Sequence, residues 1–182
     1  DLNSGTDNLR PMTWLGLDGS SAAITGAGGG IGRAVAVHLA QQGVRTVLLG
    51  RTVESLLETQ AAVEAVGGTA VAIAADVAQP ESLQEAAAAS GRIDILVNNA
   101  SFSRAATLEE VSLDDWNALL AVNLNGYLNC SKAFGAGMLE RGKGSIVHVT
   151  SISARQPQAN SNAYSVAKAG VSMLSRQLAF EW

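Results

Sequence analysis

TGAGGGIG, residues 25–32, contains five glycines in eight positions. Glycine loses more conformational entropy on folding than any other residue and contributes no side chain to a core. The stretch follows the apolar run SAAIT (21–25) and precedes IGRAVAVHLAQQG (31–43), which has the apolar spacing of a helix. The glycines therefore predict a strand-to-helix turn whose main chain another group approaches closely. Side chains at these positions would block that approach.

A turn of this kind at the start of a strand–helix–strand unit is suited to binding the pyrophosphate of a dinucleotide. The helix N-terminus there provides unpaired N–H groups and the positive end of the helix dipole. Gly26, Gly30 and Gly32 form the spacing GxxxGxG, which differs from the GxGxxG fingerprint of many dinucleotide sites. Because a glycine cluster alone is equally typical of a plain tight turn, the choice depends on the rest of the chain.

Short apolar runs alternate with helical patterns along the rest of the chain. The predicted strands span 21–25, 45–50, 69–76, 93–99 and 144–151, and the longest helical region runs from about Leu113 to Arg141. The strands are continuous apolar runs, which is typical of strands buried on both faces. The sequence therefore predicts an α/β fold, a doubly wound parallel sheet of the Rossmann type, over residues 19–182.

The two ends of the chain depart from this alternation. Residues 1–18 are polar and lack periodicity, so we expect a loose N-terminal arm. The last helical pattern begins near Ser161 and reaches Trp182 without the glycine that ends every earlier helix. We therefore expect the chain to end inside an element, with the C-terminal part of the fold missing after Trp182.

Composition narrows the range of partners. The formal net charge is −4 with no basic run, which makes nucleic acid and anionic membranes poor partners. Apolar runs stay shorter than the ~18 residues of a membrane span.

The single cysteine, Cys130, suits a reducing compartment, so we expect a cytoplasmic protein with a packed rather than nucleophilic thiol. Charged residues are only 15% of the chain, which weakly favours burial against other subunits.

A glycine or a polar residue follows each predicted strand at its carboxyl end. These residues are Gly26, Arg51, Asp76, Asn98 and Ser151. Because ligands of doubly wound sheets bind at the carboxyl ends of the strands, we expect the five residues to converge on one site. His38 and His148 lack metal-ligand spacing, so no metal is predicted there.

YSVAK, residues 164–168, places Tyr164 and Lys168 one helical turn apart on the same face. A lysine ammonium beside a phenol favours the phenolate, which makes Tyr164 usable as a proton donor or acceptor. Most pairs of this spacing lie on solvated helix surfaces. This pair, however, lies thirteen residues after Ser151 on the helix that follows the fifth strand. Its position therefore favours a chemical role.

Together these stretches resemble the short-chain dehydrogenase/reductase family over roughly residues 18–182. TGAGGGIG matches the cofactor loop of the family, and NNA (98–100) matches its fourth-strand motif. The catalytic tetrad of the family is matched in order and spacing by Asn123, Ser151, Tyr164 and Lys168. The resemblance implies NAD(P)-dependent hydride transfer between a nicotinamide cofactor and an alcohol or its carbonyl counterpart.

The resemblance also implies a role for each residue of the tetrad. Tyr164 would protonate the carbonyl oxygen or deprotonate the alcohol, and Ser151 would hydrogen-bond the same oxygen. Lys168 would hold the nicotinamide ribose and act on Tyr164, while Asn123 would support a water linking Lys168 to solvent. Ser153 is the alternative to Ser151, but its eleven-residue spacing to Tyr164 fits the family less well.

The end of the second strand distinguishes the two nicotinamide cofactors. A carboxylate there would bind the ribose 2′-hydroxyl and repel a 2′-phosphate, but no acid occurs between Arg51 and Glu54. Arg51 can pair with a phosphate, although a surface arginine is the alternative. We therefore expect NADP(H) to be favoured over NAD(H). The expected cofactor-binding residues are Gly26, Gly28, Gly29, Gly30, Ile31, Gly32, Arg51, Thr52, Asp76, Val77, Asn98, Ala100, Tyr164 and Lys168.

The expected protein is an NADPH-preferring enzyme acting on a small-molecule secondary alcohol or ketone, assembled as a homotetramer or homodimer. An NAD-linked sugar or polyol dehydrogenase is the alternative within the same class. A dinucleotide-sensing protein without catalysis is the alternative from another class, although a sensor would not need the tetrad. Two departures from the family are Ser101, where glycine usually follows NNA, and a segment from Asp76 to Asp94 about one helical turn short.

Overall fold

Five parallel strands form the sheet: β1 Ser21–Thr25, β2 Arg45–Gly50, β3 Ala70–Ala74, β4 Ile95–Asn98 and β5 Ser145–His148. The computed structural model describes residues 15–182, so the predicted arm, residues 1–18, lies mostly outside the described residues. The spatial order is β3-β2-β1-β4-β5, which reverses direction at β1. Such a reversal opens a crevice beyond the carboxyl ends of β1 and β4. The predicted doubly wound parallel sheet is confirmed.

The described residues form six α-helices: α1 Gly30–Gln41, α2 Val53–Ala65, α3 Pro80–Ser90, α4 Leu113–Leu120, α5 Gly126–Glu140 and α6 Asn162–Glu181. A π-helical segment, Ala121–Asn125, joins α4 to α5 without a break, which confirms the long helical region predicted from the sequence. A short 3-10 helix, Ile152–Ala154, follows β5. Each glycine that was predicted to end a helix lies at most two residues beyond the last residue of that helix.

Two apolar layers cover the two faces of the sheet. One layer packs α1 and α2 against the sheet through small side chains such as Ala36 and Ala40. The other layer packs α3 and α5 against the opposite face and includes Phe134, Met138 and Cys130. Cys130 is 1% exposed, and burial raises the pKa of its thiol to about 12. This residue is therefore a packed side chain, as the sequence predicted.

The outer strands are less buried than their apolar sequences predict. All five residues of β1 are buried, but Val71 in β3 is 37% exposed and Val147 in β5 is 48% exposed. β3 and β5 have a neighbouring strand on one side only within the described sheet. An apolar run therefore indicates a strand here without indicating whether that strand lies at an edge.

Helix α6 begins at the carboxyl end of β5 and runs back toward its amino end, where Trp182 packs against Gly135 of α5. It packs against α4, the π-helical segment and the 3-10 helix after β5. Asn162 at its start donates hydrogen bonds to the carbonyl oxygens of Arg104 and Ala106, 3.0 and 2.9 Å away. These bonds join the loop after β4 to the beginning of α6. In the part of the chain that the structure describes, every helix is too short or too polar to cross a bilayer.

Candidate active site

A cavity of about 230 Å³ lies at the carboxyl ends of the strands. Its wall combines the glycine loop after β1 with the residues that follow β2, β3 and β4. The predicted cofactor residues in this wall are Gly26, Gly28, Gly29, Arg51, Thr52, Asp76, Val77 and Ala100. Four separate chain segments thus converge as the strand pattern predicted.

The glycines of the loop fall into two structural groups. A Cβ added to Gly32 would lie 2.3 Å from the carbonyl oxygen of Gly26, and one added to Gly28 would lie 2.7 Å from Ser55 Oγ. A Cβ added to Gly29 or Gly30 would meet no atom within 4 Å. The first group is required for packing, whereas the second leaves open space at the first residues of α1.

This open space fits the pyrophosphate of a dinucleotide. Gly29 is the N-cap of α1, so the first N–H groups of the helix have no partner within the helix. Unpaired N–H groups and the helix dipole together favour an anion at this point. A side chain on Gly29 would extend into this open space, whereas Gly30 also has a φ of +51°, a backbone conformation that favours glycine whatever the space around it.

Arg33 and Thr59 fix the shape of the glycine loop through hydrogen bonds to its carbonyl oxygens. Neither residue was identified from the sequence. The guanidinium of Arg33 donates to the carbonyl oxygen of Gly28 at 2.7 Å and to Thr59 Oγ1 at 2.9 Å. The hydroxyl of Thr59 donates in turn to the carbonyl oxygen of Ala27 at 2.8 Å. Thr59 is fully buried, so the loop rests on a side chain that is itself held in place.

Arg51 and Asp76 occupy the far side of the cavity. Arg51 is exposed directly after β2, where its guanidinium can reach a ligand in the cavity. Asp76 accepts a hydrogen bond from the Ala78 N–H at 3.0 Å, which fixes the turn after β3. Val77 is buried against Gly126 of α5. This part of the cavity wall therefore combines an exposed cation with a fixed turn.

The structure places several predicted cofactor residues outside the cavity wall. Asn98 is fully buried, and its Nδ2 donates to Ser131 Oγ at 3.2 Å, so its side chain supports the sheet-to-helix packing. Gly30, Ile31 and Gly32 lie beyond the wall at the start of α1. Contact between these four residues and a cofactor stays a prediction.

Lys168 is the most unusual charged residue of the site because it is only 1% exposed. Its Nζ donates hydrogen bonds to Tyr127 Oη at 2.7 Å and to the carbonyl oxygen of Val149 at 3.0 Å. The same Nζ lies 5.6 Å from the ring centre of Tyr164. Burial lowers the pKa of Lys168 to about 8. The predicted Tyr164–Lys168 pair is therefore brought together at the carboxyl end of β5.

Ser151 is the N-cap of the 3-10 helix and contacts Ser153, the alternative to it for the catalytic serine. Ser151 Oγ lies 2.6 Å from Ser153 Oγ and accepts a hydrogen bond from the Ser153 N–H at 3.2 Å. Ser153 is 7% exposed, whereas Ser151 is partly accessible. Ser151 is thus the more accessible of the two hydroxyls, and its role as the catalytic serine stays a prediction.

Asn123 lies in the π-helical segment and is fully buried. Its Nδ2 donates to the carbonyl oxygen of Phe102 at 2.7 Å, and its Oδ1 accepts from Ser101 Oγ at 2.7 Å. π-Helical turns inside α-helices are frequent at functional sites. The side chain of Asn123 thus holds the loop after β4, and Ser101, the departure from the family pattern, supplies one of these bonds. The water expected near Asn123 stays a prediction.

Tyr127 is a third site residue, after Arg33 and Thr59, that was not identified from the sequence. It is 1% exposed, and its hydroxyl donates to the carbonyl oxygen of Val149 at 2.9 Å while it accepts from Lys168. Its contact with Lys168 spans 41 residues of sequence. The one available signal was its position four residues after Asn123, on the helix that carries the tetrad asparagine.

Comparison with known proteins agrees with this geometry. The model of the short chain dehydrogenase family matches residues 20–182. The D-threitol dehydrogenase of Mycolicibacterium smegmatis is 41% identical over 170 residues, which cover 91% of this chain and 65% of that protein. The gluconate 5-dehydrogenase of Gluconobacter oxydans is 36% identical, with 91% of this chain and 66% of that protein covered.

A solved structure shares the fold at similar identity. The crystal structure of a metagenomic short-chain oxidoreductase in complex with NADP has a TM-score of 0.86 and 35% identity, and the match covers 91% of this chain and 77% of that one. The chain spans just under two thirds of the length of the two curated relatives. Because the family model covers all described strands and helices and these relatives share more than a third of its residues, the chain belongs to the short-chain dehydrogenase/reductase family.

Proposed function

We propose that this chain forms the cofactor-binding and catalytic portion of an NAD(P)-dependent oxidoreductase that interconverts a secondary alcohol and its ketone. One observation carries this proposal: the ammonium of the buried Lys168 lies 5.6 Å from the ring of Tyr164, at the same edge of the sheet as the glycine-lined cavity. A protein that only bound a dinucleotide would need the cavity but not this pair.

The proposed chemistry divides between the cofactor and the chain. The nicotinamide supplies or accepts the hydride, and the protein provides orientation and electrostatics. Tyr164 gives a proton to the carbonyl oxygen during reduction, or takes one from the alcohol during oxidation. Ser151 donates a hydrogen bond to the same oxygen. Lys168 donates two of its three N–H groups within the protein, which leaves one for the nicotinamide ribose.

The proposed substrate is a small molecule with a secondary hydroxyl or keto group. The D-threitol and gluconate dehydrogenases to which this chain is similar are named for polyhydroxylated substrates. These names support the sugar or polyol dehydrogenase as a specific second candidate. Both candidates use the same proton transfer at Tyr164. They differ in the substrate, which a panel of alcohols and ketones would reveal, and in the cofactor, since the sugar or polyol dehydrogenase would be NAD-linked.

The proposed cofactor is NADP(H) in preference to NAD(H). Arg51 is exposed at the cavity directly after β2, the position where a carboxylate would bind the ribose 2′-hydroxyl instead. A guanidinium pairs well with a 2′-phosphate because its N–H groups match the phosphate oxygens. The metagenomic relative that was crystallised with NADP supports the same assignment.

The proposed assembly is a homotetramer or homodimer. Val166, Met173 and Phe180 recur every seven residues along α6 and are 51%, 60% and 88% exposed. Residues seven apart lie on the same face of a helix, so α6 presents an apolar stripe that a second copy of the chain would cover. Size-exclusion chromatography with light scattering measures this assembly directly.

Tyr164→Phe tests the catalytic proposal. The substitution removes one hydroxyl and keeps the ring, so the fold and the cofactor cavity should be retained. Loss of a general acid or base typically lowers the rate by roughly 10²–10⁴-fold. We therefore expect a decrease of that size in turnover of a panel of ketones, secondary alcohols and polyols. Binding of NADPH, measured separately by fluorescence quenching, should change little.

Lys168→Ala provides the comparison for this test. Lys168 has two proposed roles, so its loss should decrease both turnover and NADPH affinity. If Tyr164→Phe turns over any substrate of the wild-type protein at a near-normal rate, the catalytic proposal is wrong. The dinucleotide-sensing function would then be the better interpretation.

A further inference from the structure

The ammonium of Lys168 is held mainly by a residue to which the family pattern assigns no role. Tyr127, on α5, contacts Lys168 in two ways. Its hydroxyl accepts a hydrogen bond from Lys168 Nζ at 2.7 Å, and the centre of its ring lies 4.5 Å from the same nitrogen. A cation at this distance from an aromatic ring is attracted by the electron density of the ring face.

The orientation of the Tyr127 hydroxyl is fixed by a second bond. Tyr127 Oη donates its proton to the carbonyl oxygen of Val149 at 2.9 Å, so the lone pairs of the phenol oxygen are left for Lys168. Burial raises the pKa of Tyr127 above its ordinary value, which keeps the phenol neutral and able to donate. The phenol therefore acts as a fixed acceptor for the lysine.

The surroundings of Lys168 contain no carboxylate that would balance its charge, as far as residues 15–182 are concerned. The ionisable groups around it are Tyr127 on α5, His148 on β5 and Tyr164 on α6 itself, and Cys130 lies close to Tyr127. Burial, together with the charge of Lys168, lowers the pKa of His148, so this imidazole is neutral. On the elements packed against α6, Asp115 of α4 pairs with Arg104, and Arg155 after the 3-10 helix is exposed. Neutral oxygens and one aromatic ring thus stabilise the ammonium.

We propose that Tyr127 is a positioning residue that holds Lys168 in its charged form and directs its remaining N–H toward Tyr164 and the cofactor site. The proposal rests on the role of Lys168 in the proposed function. Tyr127 touches neither cofactor nor substrate in this arrangement and acts through Lys168. Without its hydroxyl, the ammonium would keep only the carbonyl of Val149 as a hydrogen-bonding partner among residues 15–182.

The test measures the protonation of Lys168 directly in the cofactor-free protein. NMR of the side-chain ammonium and ε-carbon signals of lysine is followed as a function of pH in the wild type and in Tyr127→Phe. The signal of Lys168 is identified by its loss in Lys168→Arg. The other lysines of the chain, Lys132 and Lys143, serve as internal controls. A hydrogen bond to a charged group is strong enough that the midpoint of Lys168 should fall by about one pH unit.

Cys130→Ala is the matched control. It also removes one heavy atom from the buried face of α5, but it removes no hydrogen bond to Lys168. The titration midpoint of Lys168 should therefore stay at its wild-type value. Circular dichroism establishes that both variants are folded. A Tyr127→Phe protein whose Lys168 titrates as in the wild type would overturn the proposal, as would an equal shift in Cys130→Ala.

Turnover separates this proposal from the proposed function. If the wild type is active, Tyr127→Phe should lose activity at a lower pH than the wild type, because its Lys168 loses the proton earlier. If the wild type turns over no substrate while the midpoint of Lys168 still falls in Tyr127→Phe, the proposed function fails and the positioning role stands. If activity is present and the midpoint is unchanged, the positioning role fails alone.

Discussion

At the scale of single residues, Arg51 is the proposed determinant of cofactor choice. Arg51→Ala should weaken NADPH binding much more than NADH binding, because only NADPH carries a 2′-phosphate. Hydrogen bonds of this charged kind contribute roughly 1.5–3 kcal/mol, which corresponds to a loss of about one to two orders of magnitude in affinity. Titration of both cofactors by fluorescence measures the difference.

Arg92→Ala is the control for the Arg51 variant. Arg92 is also an exposed arginine, but it precedes β4 and pairs with Asp94 at the opposite edge of the sheet. Its removal should leave the affinity for both cofactors unchanged. An equal loss of NADPH and NADH affinity in Arg51→Ala would contradict the NADP(H) assignment.

The sequence identified residues whose role depends on motif and spacing, and it missed residues whose role depends on contact. Tyr164 and Lys168 are neighbours on one helix, so their proximity follows from their spacing. Tyr127 meets Lys168 only because α5 and α6 both approach the carboxyl end of β5. Asn98 is a different case, because its position at a strand end did not reveal that its side chain is buried and bonded to Ser131, while its contact with a cofactor stays a prediction.

At the scale of elements, glycine substitutions at the start of α1 should affect packing and ligand binding separately. Gly29→Ala should leave stability unchanged, because Gly29 has extended backbone and open space around its Cβ position. The added methyl group should displace the phosphate from a helix N–H, at a cost of roughly 1–3 kcal/mol in NADPH affinity. Urea denaturation and cofactor titration measure the two quantities separately.

Gly32→Ala, in contrast, should lower the stability of the protein. Its added Cβ would lie 2.3 Å from the carbonyl oxygen of Gly26, so the turn between β1 and α1 would have to move. Overpacking of this kind lowers the free energy of unfolding by roughly 1–3 kcal/mol. Equal stability of the two variants would show that the loop adapts more readily than its packing indicates.

The elements themselves were predictable because their signals are local. Apolar runs and glycine stops gave all five strands, and the helices end within two residues of the predicted glycines. The π-helical segment around Asn123 left no such signal, since one wide turn barely changes the apolar spacing of the helix. The partial exposure of Val71 and Val147 was not predictable either, because it depends on the spatial order of the strands.

At the scale of the whole molecule, the buried Lys168 makes stability depend on pH. Its pKa is about 8 in the folded chain against an ordinary value of 10.5, so the folded state releases this proton first. Where the unfolded state binds more protons, the free energy of unfolding rises with pH. The gain from Lys168 should be about 1.4 kcal/mol between about pH 7 and pH 9.

Lys168→Met removes this titration and should flatten the stability profile over the same interval. The interval ends near pH 9 because Cys130, whose pKa is raised from 9.0 to about 12 by folding, has an opposite effect that grows as the pH approaches and passes 9. Urea denaturation at several pH values measures both proteins. A wild-type profile as flat as that of Lys168→Met would show that Lys168 keeps its ordinary pKa in the folded protein.

The burial of Cys130 also has a practical consequence for experiments on this chain. Its thiol is 1% exposed with a pKa of about 12, so almost no reactive thiolate is present at neutral pH. A cysteine introduced at Leu108, which is 67% exposed between β4 and α4, would therefore take up a thiol-reactive fluorophore alone. The label would sit on the segment that Asn123 and Asn162 anchor, where its emission can follow the arrival of cofactor and substrate in real time.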